Sequence, residues 1–130
     1  MNKTKQNKMN INTLLGKTLV SCTGKVGDDK IIFTTTDGKI YKLFHDQECC
    51  EDVYVEDICG ELSDLVGSPI IQAEENSNND FLPGSDKEIY AESFTWTFYR
   101  LTTVKGHVVI RWFGESNGSY SEKVNFDKIN

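Results

Sequence analysis

No hydrophobic run in the chain approaches the roughly 20 residues that a membrane-spanning helix needs. The first ten residues, MNKTKQNKMN, contain no apolar segment of the kind that a secretory signal requires. Heptads and internal repeats are also missing, so the chain has no signature of a coiled coil or a repeat protein. These absences predict a protein that stays in the cytosol in which it is made.

The short signatures of several enzyme classes are absent as well. The chain contains no GxxxxGK[ST], GxGxxG, HExxH or GxSxG segment. This argues against a nucleotide hydrolase, a dehydrogenase, a zinc protease and an α/β hydrolase. A small binding module needs none of these segments, so we expect no cofactor and favour a protein that is not an enzyme.

Positive charge is scarce. The chain has 14 Lys and Arg against 20 Asp and Glu, which gives a net charge of -6, and its only arginines are Arg100 and Arg111. Because phosphate binding depends on Lys and Arg, nonspecific binding to nucleic acid or to an anionic membrane is not expected. Seven carboxylates lie close together without the ligand order of a calcium loop, and we interpret them as a solvated acidic face. They are Glu48, Glu51, Asp52, Glu56, Asp57, Glu61 and Asp64.

The four cysteines, Cys22, Cys49, Cys50 and Cys59, occur in a chain without an export signal, so reduced thiols are expected. Neighbouring residues on a strand point to opposite faces, which makes Cys49 and Cys50 poor partners for a disulfide. Together with His45 they are candidates for a metal site or for a thiol nucleophile with its base. Contiguous cysteines lack the spacing of a zinc knuckle, however, and buried thiols beside an exposed histidine are the simpler explanation.

Runs typical of strands outnumber helical ones, with turn signals about every 8 to 12 residues over much of the chain. This spacing predicts a mainly β fold with an antiparallel sheet, either a sandwich or a partly open barrel of about seven strands with one short helix. A chain of 130 residues can bury one core. We expect a flexible segment at 1–10 and a single globular domain at 11–130, with a long acidic loop at about 74–92.

Individual elements follow from local patterns. The dipeptide Asp37-Gly38 predicts a hairpin with a type I′ turn, which needs positive φ at both central residues. A helical turn is predicted at 10–15 and a short helix at 61–66. Outside the long hairpin, strands are predicted at 17–23, 30–36, 39–44, 53–55, 69–74 and 119–126.

The clearest strand alternation lies between Ser93 and Tyr120, where both tryptophans are found. Three-residue hairpin loops usually place glycine in the left-handed position, so a loop at 104–106 is the preferred register. The alternative, a loop of Lys105 and Gly106 alone, sets Arg100 against Arg111, and that like-charge pair costs energy unless an anion or carboxylate lies between them. The preferred register puts six apolar side chains on one side of the ribbon: Phe94, Trp96, Phe98, Val108, Ile110 and Trp112.

The other side of this ribbon, with the strand end that follows it, carries the candidate ligand-binding residues. Tyr99 beside Arg111 is suited to stacking a planar group, and either arginine is suited to pairing an anion. A partly buried sheet face without a ligand is the alternative interpretation. The full candidate set is Tyr99, Arg100, Arg111, Glu115, Asn117 and Tyr120.

Two blocks of the chain are similar to segments of a known family. They are DGKIYKLFHDQECCEDVYVEDICGELSDLVGSPIIQAEE at 37–75 and ESFTWTFYRLTTVKGHVVIRWFGESNGSYSEKVNF at 92–126. They resemble an uncharacterised small domain family encoded mainly by bacteriophages and prophages, which pairs an H-x-Q-x-C-C-E segment with later T-W-T-F-Y and R-W-x-G-x-S-N-G segments. The matching positions are His45, Gln47, Cys49, Cys50 and Glu51, then 95–99, then Arg111, Trp112, Gly114, Ser116, Asn117 and Gly118.

The resemblance implies an accessory protein made in the cytosol of an infected bacterium, and it implies no activity. We expect a non-catalytic binding protein, with counter-defence as one role, that binds a host protein or sequesters a small anionic or nucleotide ligand. A phage structural or assembly component is the second hypothesis. A thiol- or metal-dependent enzyme centred on His45, Cys49 and Cys50 is the third.

Overall fold

The structure, a computed structural model, describes residues 9–79 and 92–130. Within these ranges the chain forms two antiparallel four-stranded sheets and no closed barrel, which confirms the mainly β class. The first sheet has the order β1-β2-β3-β8 and the second sheet the order β4-β7-β6-β5. The strands are β1 (Leu19–Thr23), β2 (Lys30–Thr35), β3 (Ile40–Phe44), β4 (Asp52–Cys59), β5 (Gln72–Asn78), β6 (Ser93–Thr103), β7 (Gly106–Ser116) and β8 (Asn125–Lys128).

One hydrophobic core lies between the two sheets. Burial alternates along β2 and β3, which is the pattern of strands with one face on a core and the other toward solvent. The strands of the second sheet contribute to the same cluster, so the architecture is a sandwich. Its fully buried members include Ile31, Phe33 and Leu43 from the first sheet and Tyr99, Leu101, Ile110 and Trp112 from the second.

The register of the long hairpin differs from both predicted registers. Strands β6 and β7 are joined by a two-residue turn of Val104 and Lys105, so that Thr103 lies opposite Gly106. Gly106 belongs to β7 and is not among the glycines with positive φ, so the premise of the predicted loop is wrong. Gly106 instead packs closely against another element, since a Cβ added there would lie 2.7 Å from Oδ2 and 3.2 Å from Cβ of Asp64.

A register shift of one residue changes which side chains share a face. Tyr99 lies opposite Ile110 and points into the core, whereas Phe98 lies opposite Arg111 on the outer face of the second sheet. The predicted apolar face is therefore wrong, because its members from β6 are on the outer side and those from β7 are in the core. On the outer side Trp96 packs against Phe113, with ring centroids 4.6 Å apart.

The hairpin predicted at Asp37-Gly38 is present between β2 and β3, but its turn is not type I′. Within this turn only Gly38 has positive φ, at 86°, whereas a type I′ turn also needs it at Asp37; no residue other than glycine has positive φ among the residues described. The side-chain oxygen of Thr35 accepts a hydrogen bond from the backbone N–H of Lys39 at 3.1 Å. Strand β2 ends at Thr35 and β3 begins at Ile40, so the loop between them is longer than the predicted two-residue turn.

Other elements also differ from their predicted extent, among them β4, which was predicted at 53–55 and spans Asp52–Cys59. The predicted helices are single 3-10 turns at Ile11–Leu14 and Leu62–Leu65, and no helix in the described part of the chain is long and apolar enough to cross a membrane. Strand β5 begins at Gln72 rather than at the predicted proline and continues to Asn78, so the first residues of the predicted acidic loop are strand. The predicted last strand at 119–126 is found at Asn125–Lys128. Most of the predicted flexible segment at 1–10 and of the predicted loop at about 74–92 lies outside the described residues.

The register predicts which side chains of the hairpin stabilise the fold. Replacing Leu101, which is fully buried, with alanine should lower the free energy of unfolding by about 2–5 kcal/mol, because the substitution leaves a cavity in the core. The matched control is Val104→Ala in the turn, where the side chain is 79% exposed and the expected change is within about 0.5 kcal/mol. Urea denaturation measures both, and an equal loss in the two variants would contradict the register.

Candidate functional site

Two connecting segments meet at one end of the sandwich. Residues 45–51, here called the dicysteine loop, connect β3 to β4, and residues 117–124, here called the crossing segment, connect β7 to β8. Nδ1 of His45 lies 2.7 Å from the carbonyl oxygen of Lys123, and the backbone N–H of Ser121 donates to Oε1 of Glu48 at 3.2 Å. Parts of the chain that are more than 70 positions apart in sequence therefore form one surface.

A buried carboxylate holds the dicysteine loop in shape. The side chain of Glu51 is fully shielded from solvent. It accepts hydrogen bonds from the backbone N–H groups of Glu48 at 2.7 Å and Cys49 at 2.9 Å, and Nε2 of His45 lies 2.7 Å away. Burial opposes ionisation, but these hydrogen bonds outweigh it and lower the pKa of Glu51 from 4.5 to about 2. Glu51 is therefore ionised at neutral pH.

The imidazole of His45 lies between two hydrogen-bond acceptors. One is the ionised carboxylate of Glu51 and the other is the carbonyl oxygen of Lys123. Both ring nitrogens are therefore within hydrogen-bond distance of an oxygen atom. The side chain is only 3% exposed. His45 thus joins the two segments, and in this arrangement neither ring nitrogen is free to act as a base or a metal ligand.

A second buried carboxylate holds the crossing segment. Glu122 accepts hydrogen bonds from the hydroxyl groups of Thr95 at 2.7 Å and Ser116 at 2.5 Å. The crossing segment lies close to β7 at Gly114. A Cβ added to Gly114 would lie 3.0 Å from both the Cβ and the carbonyl oxygen of Glu122. Glycine at this position therefore lets the crossing segment pack directly onto β7.

A cavity of about 390 Å³ lies next to the two segments that Glu51, His45 and Glu122 hold together. Its described lining comes from the dicysteine loop, the start of β4, the residue before β6, the end of β7 and the crossing segment. No lysine or arginine is among these lining residues. They are Cys50, Asp52, Glu92, Glu115, Ser116, Asn117 and Tyr120, and we call this cavity the acidic pocket.

The charges of the acidic pocket are not balanced within it. Asp52 and Glu115 lie directly opposite each other on β4 and β7, and no described residue forms an ion pair with either. Like charges in directly opposed strand positions destabilise a sheet. Glu92 adds a third carboxylate to the same cavity. A positively charged ligand group would relieve this repulsion.

The structure brings three of the six predicted ligand-binding residues together. Glu115, Asn117 and Tyr120 line the acidic pocket. Tyr99 instead lies in the core, where burial and then the neighbouring carboxylate of Glu75 raise the pKa of its hydroxyl. Tyr99 is therefore not available to stack a ligand in the acidic pocket.

The two predicted anion-pairing residues lie elsewhere on the second sheet. Arg111 is bound by carboxylates, since its Nη2 lies 2.6 Å from Oε1 of Glu56 and 3.8 Å from Oδ2 of Asp57. Arg100 lies opposite Glu74 on β5. Neither arginine is among the described residues that line the acidic pocket.

The cysteine predictions are wrong for the adjacent pair. Cys49 and Cys50 form a disulfide, whereas Cys22 and Cys59 are free. The strand argument fails because these residues lie in a bend of the dicysteine loop, not in a strand. In this form the two sulfurs bond each other, and the described residues contain no group of three or more His, Cys, Asp or Glu placed to hold a metal ion.

Sequence reasoning missed the residues that organise the site. Glu51, assigned to a solvated acidic face, is buried, and Glu122 was not singled out although it anchors the crossing segment. Asp52, Glu92 and Ser116 of the pocket were also outside the candidate set. The one available signal was that Glu51 and Ser116 both belong to the segments that carry the family resemblance.

The pKa of Glu51 predicts a specific pH dependence of stability. A carboxyl whose pKa is lowered by folding stabilises the protein fully above its unfolded value, and this contribution is lost as the pH falls through the folded value. For Glu51 the window runs from 4.5 down to about 2. The variant Glu51→Gln should therefore be less stable than the natural chain at pH 7, and the difference should shrink across this window.

Thermal unfolding followed by circular dichroism at a series of pH values measures the effect. The control is Glu61→Gln, which removes one exposed carboxylate at the far end of β4. We expect the melting temperature of this control to follow that of the natural chain throughout. A Glu51→Gln variant with an unchanged pH profile would show that the buried carboxylate is not ionised in the folded protein.

Comparison with curated proteins and with solved structures finds no match to this chain. Comparison with protein families finds one match, to a family described as a domain of unknown function, DUF7448, over residues 12–126. The match covers both connecting segments and every described strand except the last two residues of β8. The chain therefore belongs to the DUF7448 family of domains of unknown function.

Proposed function

We propose that this protein is a non-catalytic binding module whose acidic pocket receives a positively charged group, the side chain of a lysine or an arginine on a partner protein. The observation that carries the proposal is the opposed pair Asp52 and Glu115, which has no described counter-ion. A bound ammonium or guanidinium group would lie between two carboxylates and so turn a repulsion into two attractions.

The other described groups of the pocket suit the same ligand. An aromatic ring such as that of Tyr120 is suited to binding a cation, and the amide oxygen of Asn117, which accepts one hydrogen bond from the backbone N–H of Ser119 at 2.9 Å, has a second lone pair for a ligand. A volume of about 390 Å³ accommodates a side chain with its neighbouring backbone. The net charge of -6 would also attract a basic protein surface over a longer range and raise the rate of association.

The alternative of a small anionic or nucleotide ligand has less support. It relied on Arg100 or Arg111 to pair the anion and on Tyr99 to stack it, but Tyr99 is buried, Arg111 is bound by Glu56 and neither arginine lines the acidic pocket. A thiol- or metal-dependent enzyme also has less support, since both ring nitrogens of His45 are occupied by contacts with Glu51 and with the carbonyl oxygen of Lys123.

The family resemblance adds a setting to this proposal. A phage accessory protein in the cytosol of an infected bacterium would meet many basic host proteins, and blocking the basic surface of one of them would serve counter-defence. A host protein with an exposed lysine or arginine is therefore the proposed partner. A structural or assembly role in the phage is the alternative that a capsid-bound location would favour.

Binding of a defined basic peptide tests the proposal. We would titrate the isotope-labelled protein with a five-residue peptide of glycine that carries one lysine and one arginine, and with a peptide in which glutamate replaces both. The basic peptide should shift the NMR signals of Glu115, Asn117 and Tyr120, and the acidic peptide should not. The variant Glu115→Gln should weaken binding about two- to fivefold, the range for loss of one partly exposed ion pair.

The matched control is again Glu61→Gln, which changes the net charge equally but lies at the other end of β4. Its affinity for the basic peptide should equal that of the natural chain. If both variants lose affinity by the same factor, the peptide is bound by overall charge and the proposed site is wrong. If the acidic peptide shifts the pocket signals more than the basic one does, the proposed ligand class is wrong.

A further inference from the structure

We infer that the adjacent cysteines 49 and 50 form a redox switch that controls the acidic pocket, so that the disulfide form binds a cationic group more tightly than the dithiol form. This inference rests on the proposed function for its ligand, but the switch itself rests on the position of the pair. Both cysteines are exposed, and they lie in a loop that reaches the pocket.

The disulfide connects Cys49, whose backbone is hydrogen-bonded to Glu51, with Cys50, which lines the acidic pocket. On one side the backbone of Cys49 is held, because its N–H donates to Glu51 at 2.9 Å and its carbonyl oxygen accepts from Nε2 of Gln47 at 3.2 Å. On the other side Cys50 lines the pocket, and so does Asp52 one residue beyond the buried carboxylate. The disulfide therefore restrains the pocket-lining side chain of Cys50, because it is bonded to Cys49, whose backbone is held by Glu51 and Gln47.

Reduction removes this tie by ordinary thiol–disulfide exchange. The step needs two thiol groups, which come from one protein dithiol or from two molecules of a small thiol. A thiolate of the reductant attacks one sulfur of the disulfide. The sulfur–sulfur bond of the protein breaks, one forms in the reductant, and two electrons and two protons pass to the cysteines. Exposure of the pair makes the attack possible, and cytosolic disulfides are commonly transient for this reason.

The two remaining cysteines are poorly placed to compete. Cys22 is half-buried, and burial raises the pKa of its thiol to about 12, so it carries almost no reactive thiolate. Cys59 is exposed, but it ends β4, whereas the pair precedes the start of that strand. Eight residues of extended strand span roughly 25 Å, which separates Cys59 from the pair.

The effect on binding follows from preorganisation. In the disulfide form the pocket wall at Cys50 is held before the ligand arrives, whereas in the dithiol form binding must also order this side chain and its peptide. Ordering one such group weakens binding by about three- to tenfold. By linkage, the bound cation must protect the disulfide from reduction by the same factor.

The test compares the oxidised and the reduced protein. Alkylation followed by intact mass spectrometry should show two free thiols in the oxidised chain and four after treatment with dithiothreitol. The basic peptide described above should bind the reduced form about three- to tenfold more weakly than the oxidised form. The variant Cys59→Ser should respond in the same way, and Cys50→Ser should bind as the reduced form does in either condition.

Other outcomes separate the two proposals. Four free thiols after exposure to oxidised glutathione, or equal affinities of the oxidised and reduced forms, would overturn the switch. If the peptide binds neither form, the proposed function fails, and the switch is then judged by NMR signals alone. Shifts of the Asn117 and Tyr120 amides on reduction would support it, and unchanged signals would overturn it.

Discussion

The site depends on one ionised carboxylate that is buried where two distant segments meet. Glu51 has no exposed side-chain surface, so its charge is stabilised only by the groups that the fold brings to it. These are two backbone N–H groups of its own loop and the imidazole ring of His45. Because the other ring nitrogen of His45 lies 2.7 Å from the carbonyl oxygen of Lys123, one carboxylate determines the shape of its own loop and supports the attachment to the crossing segment.

The pocket is a consequence of this attachment. The crossing segment is held from below by Glu122 and from the side by His45 and Glu48, which leaves its start free to line a cavity with the end of β7. Glu51 and Glu122 each accept hydrogen bonds from at least two groups, whereas Asp52 and Glu115 at the cavity form no ion pair with any described residue. The carboxylates with several hydrogen-bond partners hold the fold together, and the opposed pair without a described ion-pair partner is the basis of the proposed cation site.

Local patterns predicted most of the strands, but they did not predict how the strands combine. The alternation of β2 and β3, the hairpin at Asp37-Gly38 and the long hairpin near Gly106 are all present, because each follows from a few neighbouring residues. The predicted register of β6 against β7 was wrong because Gly106 is a strand residue without positive φ that packs against Asp64, a residue 42 positions earlier. Such a contact leaves no trace in local turn patterns.

The same reason limits what the sequence says about the site. Glu115, Asn117 and Tyr120 were predicted together because they are close in the chain, and the structure keeps them together. The register turned Tyr99 into the core, whereas Arg111 lies on the same strand as Glu115 but is bound by Glu56 and does not line the pocket. The buried states of Glu51 and Glu122 depend on partners from other elements, and a cluster of acidic residues in sequence looks the same whether its members are buried or solvated.

The two buried carboxylates, Glu51 and Glu122, stabilise one joint structure of the dicysteine loop and the crossing segment. A double-mutant cycle with Glu51→Gln and Glu122→Gln, measured by urea denaturation at pH 7, tests it most directly. If the dicysteine loop and the crossing segment depend on each other, either substitution releases the same contacts, and the double variant loses less stability than the two single losses added together. Strict additivity would contradict the account, because it would mean that the two segments are held independently.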